Sequence, residues 1–513
     1  MSFTLFVFLG GLWSLATPLN GAPDELAQTI KAAALVRGQW IGVRQPGDRR
    51  AFTTVQVPAV FADFGNADCV RGHPAVPAGT CPVTPGSSRV VPAATYVGHY
   101  PPLYYLLVGW PSLLATRSSI YLMRAASVVV NSLFLAVAVA VAWRWSRSRV
   151  LVAALGVAIT PMAVFLSGVI NPSGLETTAA VAMWTAGAVM VVDTPDHPPP
   201  GLVAVLTAAV CVELLVRGDS PLWPVAALLV MIPLGWGRFR LWAFLSRRAF
   251  WLGAAAAVAS GVAALVWLVV GRPLTVASLG AALPGTPGSA LARTAVGDAG
   301  ALLHQMVGVF GYLHTPSPLF TYLAWAMAAG AVVMMAVLVG DRRVLAGLAV
   351  AVVLAVGVPF GVIFFTARQS SLDQGRYFLP LVVSIPIVCG VGGAQPGLPD
   401  RAAARWSAVV VALACAGQAA AGVWALRRYL VGVRGPLLPT ARVPGAWHPP
   451  VPGWSLDLGF LAGWAAVAAL ARLASRPAPV GRPSPAAHRA RPEPVQAAPL
   501  SPSALLAQGE QPG

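Results

Sequence analysis

Charge is what this 513-residue chain has least of: acidic and basic side chains make up 10% of it, against 57% hydrophobic, where a soluble globular domain is about one quarter charged. A large water-soluble catalytic domain is thereby excluded. Lysine is almost absent, with Lys31 the only one. Cysteines number five, too few for a disulfide framework. The signatures of soluble catalysis are missing as well: there is no GxxxxGK[ST], no HExxH, no paired CxxC and no GxGxxG, so nucleotide hydrolysis has no seat.

In their place stand repeated apolar runs of about 16–25 residues, each near the length that crosses a hydrocarbon core roughly 30 Å thick. Backbone polar groups in lipid must be satisfied internally, and runs this long select helices over a barrel. The expected fold is an all-α polytopic bundle of about twelve spans: 2–18, 119–143, 150–169, 174–192, 201–216, 221–236, 250–270, 319–340, 344–366, 378–394, 406–426 and 457–473. The first run lacks the basic flank and small-residue cleavage site of a signal peptide and reads as a retained helix. The stretch Leu103 to Leu114 is too short to span and reads as re-entrant or interfacial.

The balance of 34 basic against 17 acidic residues, +17 overall, raises nucleic acid as a partner. The arginines argue otherwise. They cluster between apolar runs, at Arg144, Arg147 and Arg149, at Arg238, Arg240, Arg247 and Arg248, and at Arg342 with Arg343, which is the pattern of cytoplasmic loops rather than of a nucleic-acid surface. Both termini then lie in the cytoplasm, and the long loops 19–118 and 271–318 lie outside. Arg427, Arg428, Arg434 and Arg442 oppose this rule, either as a local violation or as cations serving phosphate groups at the outer surface. Residues 1–475 form the membrane domain; the Pro- and Ala-rich tail 476–513 is expected to be disordered.

Cys211, Cys389 and Cys415 fall in apolar runs and behave as small hydrophobes. Cys69 and Cys81 lie in the polar first loop, where an external location permits a disulfide between them.

The unusual polar segments gather on the outer side of this topology, and each has a structural and a functional reading. Asp24 precedes an amphipathic stretch that runs from Glu25 to Arg37 and ends at Gly38, so it reads as an N-cap. Adjacent carboxylates after a first span also suit a general base, a divalent cation site (Mg or Mn), or both. Ser173-x-x-Glu176 matches a capping box, and Ser220-Pro221 matches an N-cap with proline at the first helical position. Glu176, at an outward helix start, also stands where a phosphate is held. His99, Tyr100, Tyr104 and Tyr105 fit an interfacial aromatic belt. Arg217 and Arg376 sit at span boundaries, where a guanidinium snorkels, pairs with Asp219 or Asp373, or binds phosphate bidentately. Glu213 and Arg124, deeper in their runs, read as partners in helix packing.

Four spaced motifs carry a resemblance: Pro23-Asp24-Glu25 with Lys31-Ala32-Ala33 and Arg37-Gly38-Gln39; Tyr100-Pro101-Pro102-Leu103-Tyr104-Tyr105; Asn171-Pro172-Ser173-Gly174-Leu175-Glu176; and Gln374-Gly375-Arg376-Tyr377-Phe378-Leu379-Pro380. With them the chain resembles the bacterial multi-pass proteins of domain of unknown function 2142, whose layout is similar to that of GT-C glycosyltransferases. Leu26 and Gln28 stand where that family's pattern has Pro and His, which removes the histidine. The resemblance implies an inner-membrane location, a polyprenyl-phosphate-linked sugar as donor and a cell-envelope glycan or lipid as acceptor. It further implies Asp24 and Glu25 as the catalytic carboxylates, one of them deprotonating the acceptor hydroxyl; His99, Tyr100, Asn171, Glu176, Arg217, Gln374, Arg376 and Tyr377 are the candidate binding residues. Attack opposite the leaving group implies inversion. A transporter or flippase of a lipid-linked glycan, and a non-catalytic envelope-assembly protein, are the alternatives.

Overall fold

The computed structural model describes residues 1–44, 52–62, 70–82, 86–272, 288–366, 374–392, 400–436 and 444–474. Cys69, Asp373, Arg442 and the tail from 476 lie outside them.

Each stretch expected to cross the membrane coincides with a helix or a broken helix, and the chain is a polytopic helical membrane protein. Among the described residues seven helices are long and apolar enough to cross, and the pair Val150–Ala158 and Pro161–Ser167, bent by 65°, makes an eighth if it is one span. The bend has a local cause: Pro161 cannot continue the preceding helix, and the Thr160 hydroxyl restarts it by accepting from the Ala163 amide at 3.3 Å. Four other expected spans, Ser2–Ala16, Pro200–Val216, Leu222–Gly235 and Leu379–Val391, are shorter apolar helices. Trp13 of the first helix is buried in the bundle core, with the rings of Phe310 at 4.8 Å and of Phe165 and Phe460 each at 5.3 Å between centroids.

The first loop is more ordered than its composition suggests. Strands Val43–Arg44, Thr53–Pro58 and Val90–Thr95 form an antiparallel sheet in that order. Period-two burial puts Val55 and Val57 inward and leaves Gln56 exposed, as a one-faced sheet requires. The helix Glu25–Leu35 buries Ile30, Ala32, Ala33 and Leu35 against Val55, Val57, Phe61, Tyr104 and Tyr105, and the same cluster reaches Ile120, Met123 and Leu175 on the bundle. The loop is thus seated on one end of the bundle. Leu103–Gly109 and Trp110–Leu114 follow as two short helices; Tyr104, Tyr105 and Val108 are buried while Leu106, Trp110, Leu113 and Leu114 face outward.

Within the second long loop an additional helix, Gly288–Gly308, packs Leu302 and Met306 into the core. Arg293, Asp298 and His304 hide it from a search for apolar runs.

At the opposite end of the bundle stand Arg144, Arg147, Arg149, Arg238, Arg240, Arg247 and Arg342. Twenty residues of the helix Ser118–Trp145 separate Arg124 from Arg144, about 30 Å at 1.5 Å per residue. Arg427 and Arg428, which opposed the charge rule, lie in the last turns of the helix Asp400–Val431 and do not wait for phosphate. Arg427 donates to the carbonyls of Val433, Gly435 and Pro436. Arg428, fully buried, donates to the carbonyls of Val70, His73 and Val76 and to Thr315 Oγ1 at 2.9–3.2 Å. Cys81, in the same loop, is disulfide-bonded, and Cys211, Cys389 and Cys415 are free thiols.

Candidate functional site

Asp24 occupies the N-cap position of the helix Glu25–Leu35 but does not cap it. Its backbone is left-handed, φ 61° and ψ 3°, and its side chain accepts no bond from the helix. That conformation is uncommon outside glycine and least costly for Asp and Asn. It turns the carboxylate away from the helix: Oδ1 accepts the Tyr96 hydroxyl at 2.5 Å, and Oδ2 pairs with Nη2 of Arg376. Burial acts to raise the Asp24 pKa, but the Arg376 charge and the Tyr96 hydrogen bond overcome it and hold the carboxyl below its ordinary value. A quarter of the side chain stays exposed, which weakens the opposing desolvation.

Glu25 points the other way and is fully buried. Arg124 grips both of its oxygens, Nε to Oε1 at 2.7 Å and Nη2 to Oε2 at 2.6 Å. The amides of Asn20 (3.0 Å) and Ile170 (3.3 Å) complete the shell. The remaining donors of Arg124 go to the carbonyls of Ser14, Thr17 and Pro18 at 2.7–2.8 Å, so all five of its N–H groups are used. The two adjacent acids therefore do different work: Glu25 locks the first helix to the loop, and Asp24 faces the site. Their oxygens diverge onto a guanidinium each, and among the described residues no group of three His, Cys, Asp or Glu side chains could hold a metal ion. The Asp24–Glu25 pair does not fit a divalent cation.

Two arginines from distant segments converge beside Asp24. Arg217, at the end of the helix Pro200–Val216, lies 4.6 Å from the Tyr377 ring centroid, and Arg376 lies 5.1 Å from the same ring. Both distances suit cation–π contact. Arg217 is well supplied with partners: Asp219 at 3.2 Å, Glu176 Oε2 at 3.4 Å and the Ser173 hydroxyl at 2.8 Å. Arg376 is not. It is 1% exposed, yet its Nε and Nη1 find no acceptor among the described residues. A buried guanidinium with two idle donors is costly unless an anion completes it.

Gly375 explains how Arg376 reaches this point. A Cβ there would stand 2.3 Å from the Leu302 carbonyl, so only glycine allows the turn Gly375–Tyr377 to press against the helix Gly288–Gly308. The Gly375 amide donates to Gln305 Oε1 at 2.7 Å and fixes the contact.

The other candidates divide. Glu176 forms no capping box. Asn171 is the N-cap instead, accepting from the Ser173 amide at 3.0 Å, and Glu176 Oε1 accepts from the Ser220 hydroxyl (2.6 Å) and Trp223 Nε1 (2.8 Å). Ser220 is thus spent on Glu176, and Pro221 takes the cap position of the next helix. Asn171 also donates to the Pro23 carbonyl at 3.0 Å, which ties down the residue before Asp24. Tyr100 lies within electrostatic reach of Arg217, Tyr377 and Asp24; burial outweighs Arg217 and raises its phenol pKa. Gln374 leaves Oε1 buried and unpartnered. His99 turns away, its Nδ1 2.6 Å from the Gly271 carbonyl.

Sequence reasoning missed Tyr96 and Lys31. Tyr96 follows the strand Val90–Thr95, whose sequence carries no apolar–polar alternation to announce it. Lys31 was visible as the sole lysine; it is buried, donates to the carbonyls of Trp40 and Gly98, and burial lowers its pKa to about 7.

The family model described as "Predicted membrane protein (DUF2142)" matches residues 6–385. The chain belongs to this family. No curated protein matches it. Among solved structures it aligns with ArnT from Cupriavidus metallidurans in the apo state, at 16% identity and a TM-score of 0.42 over 90% of this chain and 75% of that one. It also aligns with the crystal structure of ArnT from the same organism bound to undecaprenyl phosphate, at 16% identity and 0.40 over 92% and 76%.

Proposed function

We propose that the protein is an inverting glycosyltransferase that moves a sugar from a polyprenyl phosphate to a hydroxyl of a cell-envelope glycan or lipid at the outer face of the bacterial inner membrane. The observation that carries this reading is Arg376: a buried cation with two unused donors, one ring away from a second arginine and in contact with an ionised carboxylate. A phosphate supplies the missing acceptors, and a planar guanidinium matches its oxygens.

In this reading Asp24 takes the proton of the acceptor hydroxyl, and that oxygen bonds to the anomeric carbon. The bond from that carbon to the phosphate oxygen breaks, its electron pair leaves with the polyprenyl phosphate, and Arg376 and Arg217 receive the charge. Arg376 couples the two events. While it pairs with Asp24 it keeps the carboxyl ionised but weakly basic; once it turns to phosphate, Asp24 loses its counter-ion and gains basicity. Tyr96 then holds the carboxylate in place. Glu25 takes no part in proton transfer.

The test is transfer by purified protein in lipid vesicles supplied with a radiolabelled polyprenyl-phosphate sugar and a vesicle-borne acceptor. Label in a new glycoside of opposite anomeric configuration supports the proposal; label that only changes leaflet assigns the protein to transport instead.

A further inference from the structure

At the end of the bundle away from Asp24, the turn between Ser118–Trp145 and Val150–Ala158 forms an open cavity of about 230 Å³ lined by Ala142, Trp143, Ser146, Arg147, Ser148, Arg149 and Val152. That is several times the roughly 30 Å³ a water molecule occupies in the liquid and accommodates a phosphate with its ester stub. We infer that this cavity binds a phosphate anion, with the head group of an anionic phospholipid as its occupant.

Three observations support the assignment. First, the cavity has two guanidinia and no carboxylate in its lining. Arg149 has no hydrogen-bond or ion-pair partner among the described residues. Asp193 is buried beside the turn, within electrostatic reach of Arg147 and Arg238. Its charge offsets at most one of the two arginines. Secondly, the other acids at this end are already taken: Asp196 pairs with Arg240 at 3.1 Å and Asp341 with Arg238. Thirdly, the cavity sits where a span meets the membrane surface. Trp143, 64% exposed on its rim, is an interfacial residue type, and Ala142 and Val152 provide an apolar wall. Basic pockets between spans at the cytoplasmic surface suit anionic head groups. The Ser148 hydroxyl is committed to the Gly390 carbonyl at 2.5 Å, which fixes the floor of the cavity against the helix Ser384–Val391.

The site shares no residue with the Asp24 cluster and stands whether or not the protein transfers a sugar. Full-length protein in a neutral detergent is titrated with phosphatidylglycerol or phosphatidylcholine and followed by native mass spectrometry. One phosphatidylglycerol should bind wild type about thirtyfold more tightly than the Arg147→Gln/Arg149→Gln variant, while phosphatidylcholine separates them little. Arg342→Gln/Arg343→Gln, which removes equal charge at the same end, should bind as wild type, and Arg147→Lys/Arg149→Lys should recover part of the affinity. Glycerol 3-phosphate and inorganic phosphate distinguish the source of the anion: failure to displace the lipid at millimolar concentration supports a head-group site, and displacement below that supports the cavity as a site for soluble phosphates. Equal phosphatidylglycerol affinity in wild type and the Arg147/Arg149 variant, or an equal loss in the Arg342/Arg343 variant, would overturn the inference.

Discussion

Glu25→Gln and Asp24→Asn are single-atom exchanges at adjacent positions, and the structure predicts opposite phenotypes. Glu25 is fully buried and bonded through both oxygens to a guanidinium whose other three donors are already used. Replacing it with an amide leaves Arg124 as an uncompensated buried cation and turns an N–H₂ group towards donors. Breaking a buried ion pair from one side costs about 3–5 kcal/mol. Asp24→Asn is milder: a quarter of the Asp24 side chain meets solvent, where none of Glu25 does, asparagine tolerates the left-handed backbone as aspartate does, and its carbonyl still accepts one of the two bonds, so the loss is about 1–2 kcal/mol. Thermal unfolding of both variants in detergent should show a large drop in midpoint for Glu25→Gln and a small one for Asp24→Asn. The double exchange Glu25→Met/Arg124→Met should recover part of the loss, since it removes both charges. Sugar transfer should show the reverse order, with Asp24→Asn folded and inactive. A Glu25→Gln protein that unfolds like wild type and transfers no sugar would refute this division of labour and return the base to Glu25.

Other consequences follow from the same contacts. Asp24 is held below the ordinary carboxylate range by Arg376, so it stays ionised until the pH falls through that lowered value; Arg376→Gln should move the acid limb of the transfer–pH profile upward, and an unmoved limb would show that Arg376 does not tune the base. Lys31 titrates near 7 in the folded chain and near 10.4 unfolded. Between these values the unfolded state binds more protons, so stability should rise with pH across that window and the rise should flatten in Lys31→Met, as read by the thermal midpoint. Arg428→Met leaves the carbonyls of Val70, His73 and Val76 without their shared donor, at about 1–3 kcal/mol each if they stay buried; limited proteolysis should then cut the 70–82 loop faster than in wild type.

The spans were legible because a helix that meets lipid has no alternative to an apolar run, and the arginine clusters sorted one end of the bundle from the other. The site residues were legible as residue types but not as contacts. Asp24 carries an N-cap's sequence signature, and only its positive φ reveals that the carboxylate is spent on Tyr96 and Arg376. Ser173-x-x-Glu176 has capping-box spacing, but Asn171, two residues earlier, takes the cap and frees Glu176 to hold Ser220, Trp223 and Arg217. Asp24 and Glu25, neighbours in sequence, part because consecutive residues at a helix start project about 100° apart. The helix Gly288–Gly308 escaped notice because Arg293, Asp298 and His304 interrupt its apolar run in the sequence and its buried face, with Leu302 and Met306, is narrow. Arg427 and Arg428 looked like surface cations because nothing local in a sequence shows that a returning loop will offer its carbonyls.

The most direct test of the account is single-turnover transfer from a radiolabelled polyprenyl-phosphate sugar by wild type, Asp24→Asn and Arg376→Gln, each first shown to be folded by its thermal midpoint. The account predicts a labelled, inverted glycoside from wild type, donor binding without turnover by Asp24→Asn, and weakened donor binding by Arg376→Gln. Turnover by Asp24→Asn at the wild-type rate, or donor affinity untouched in Arg376→Gln, would contradict it.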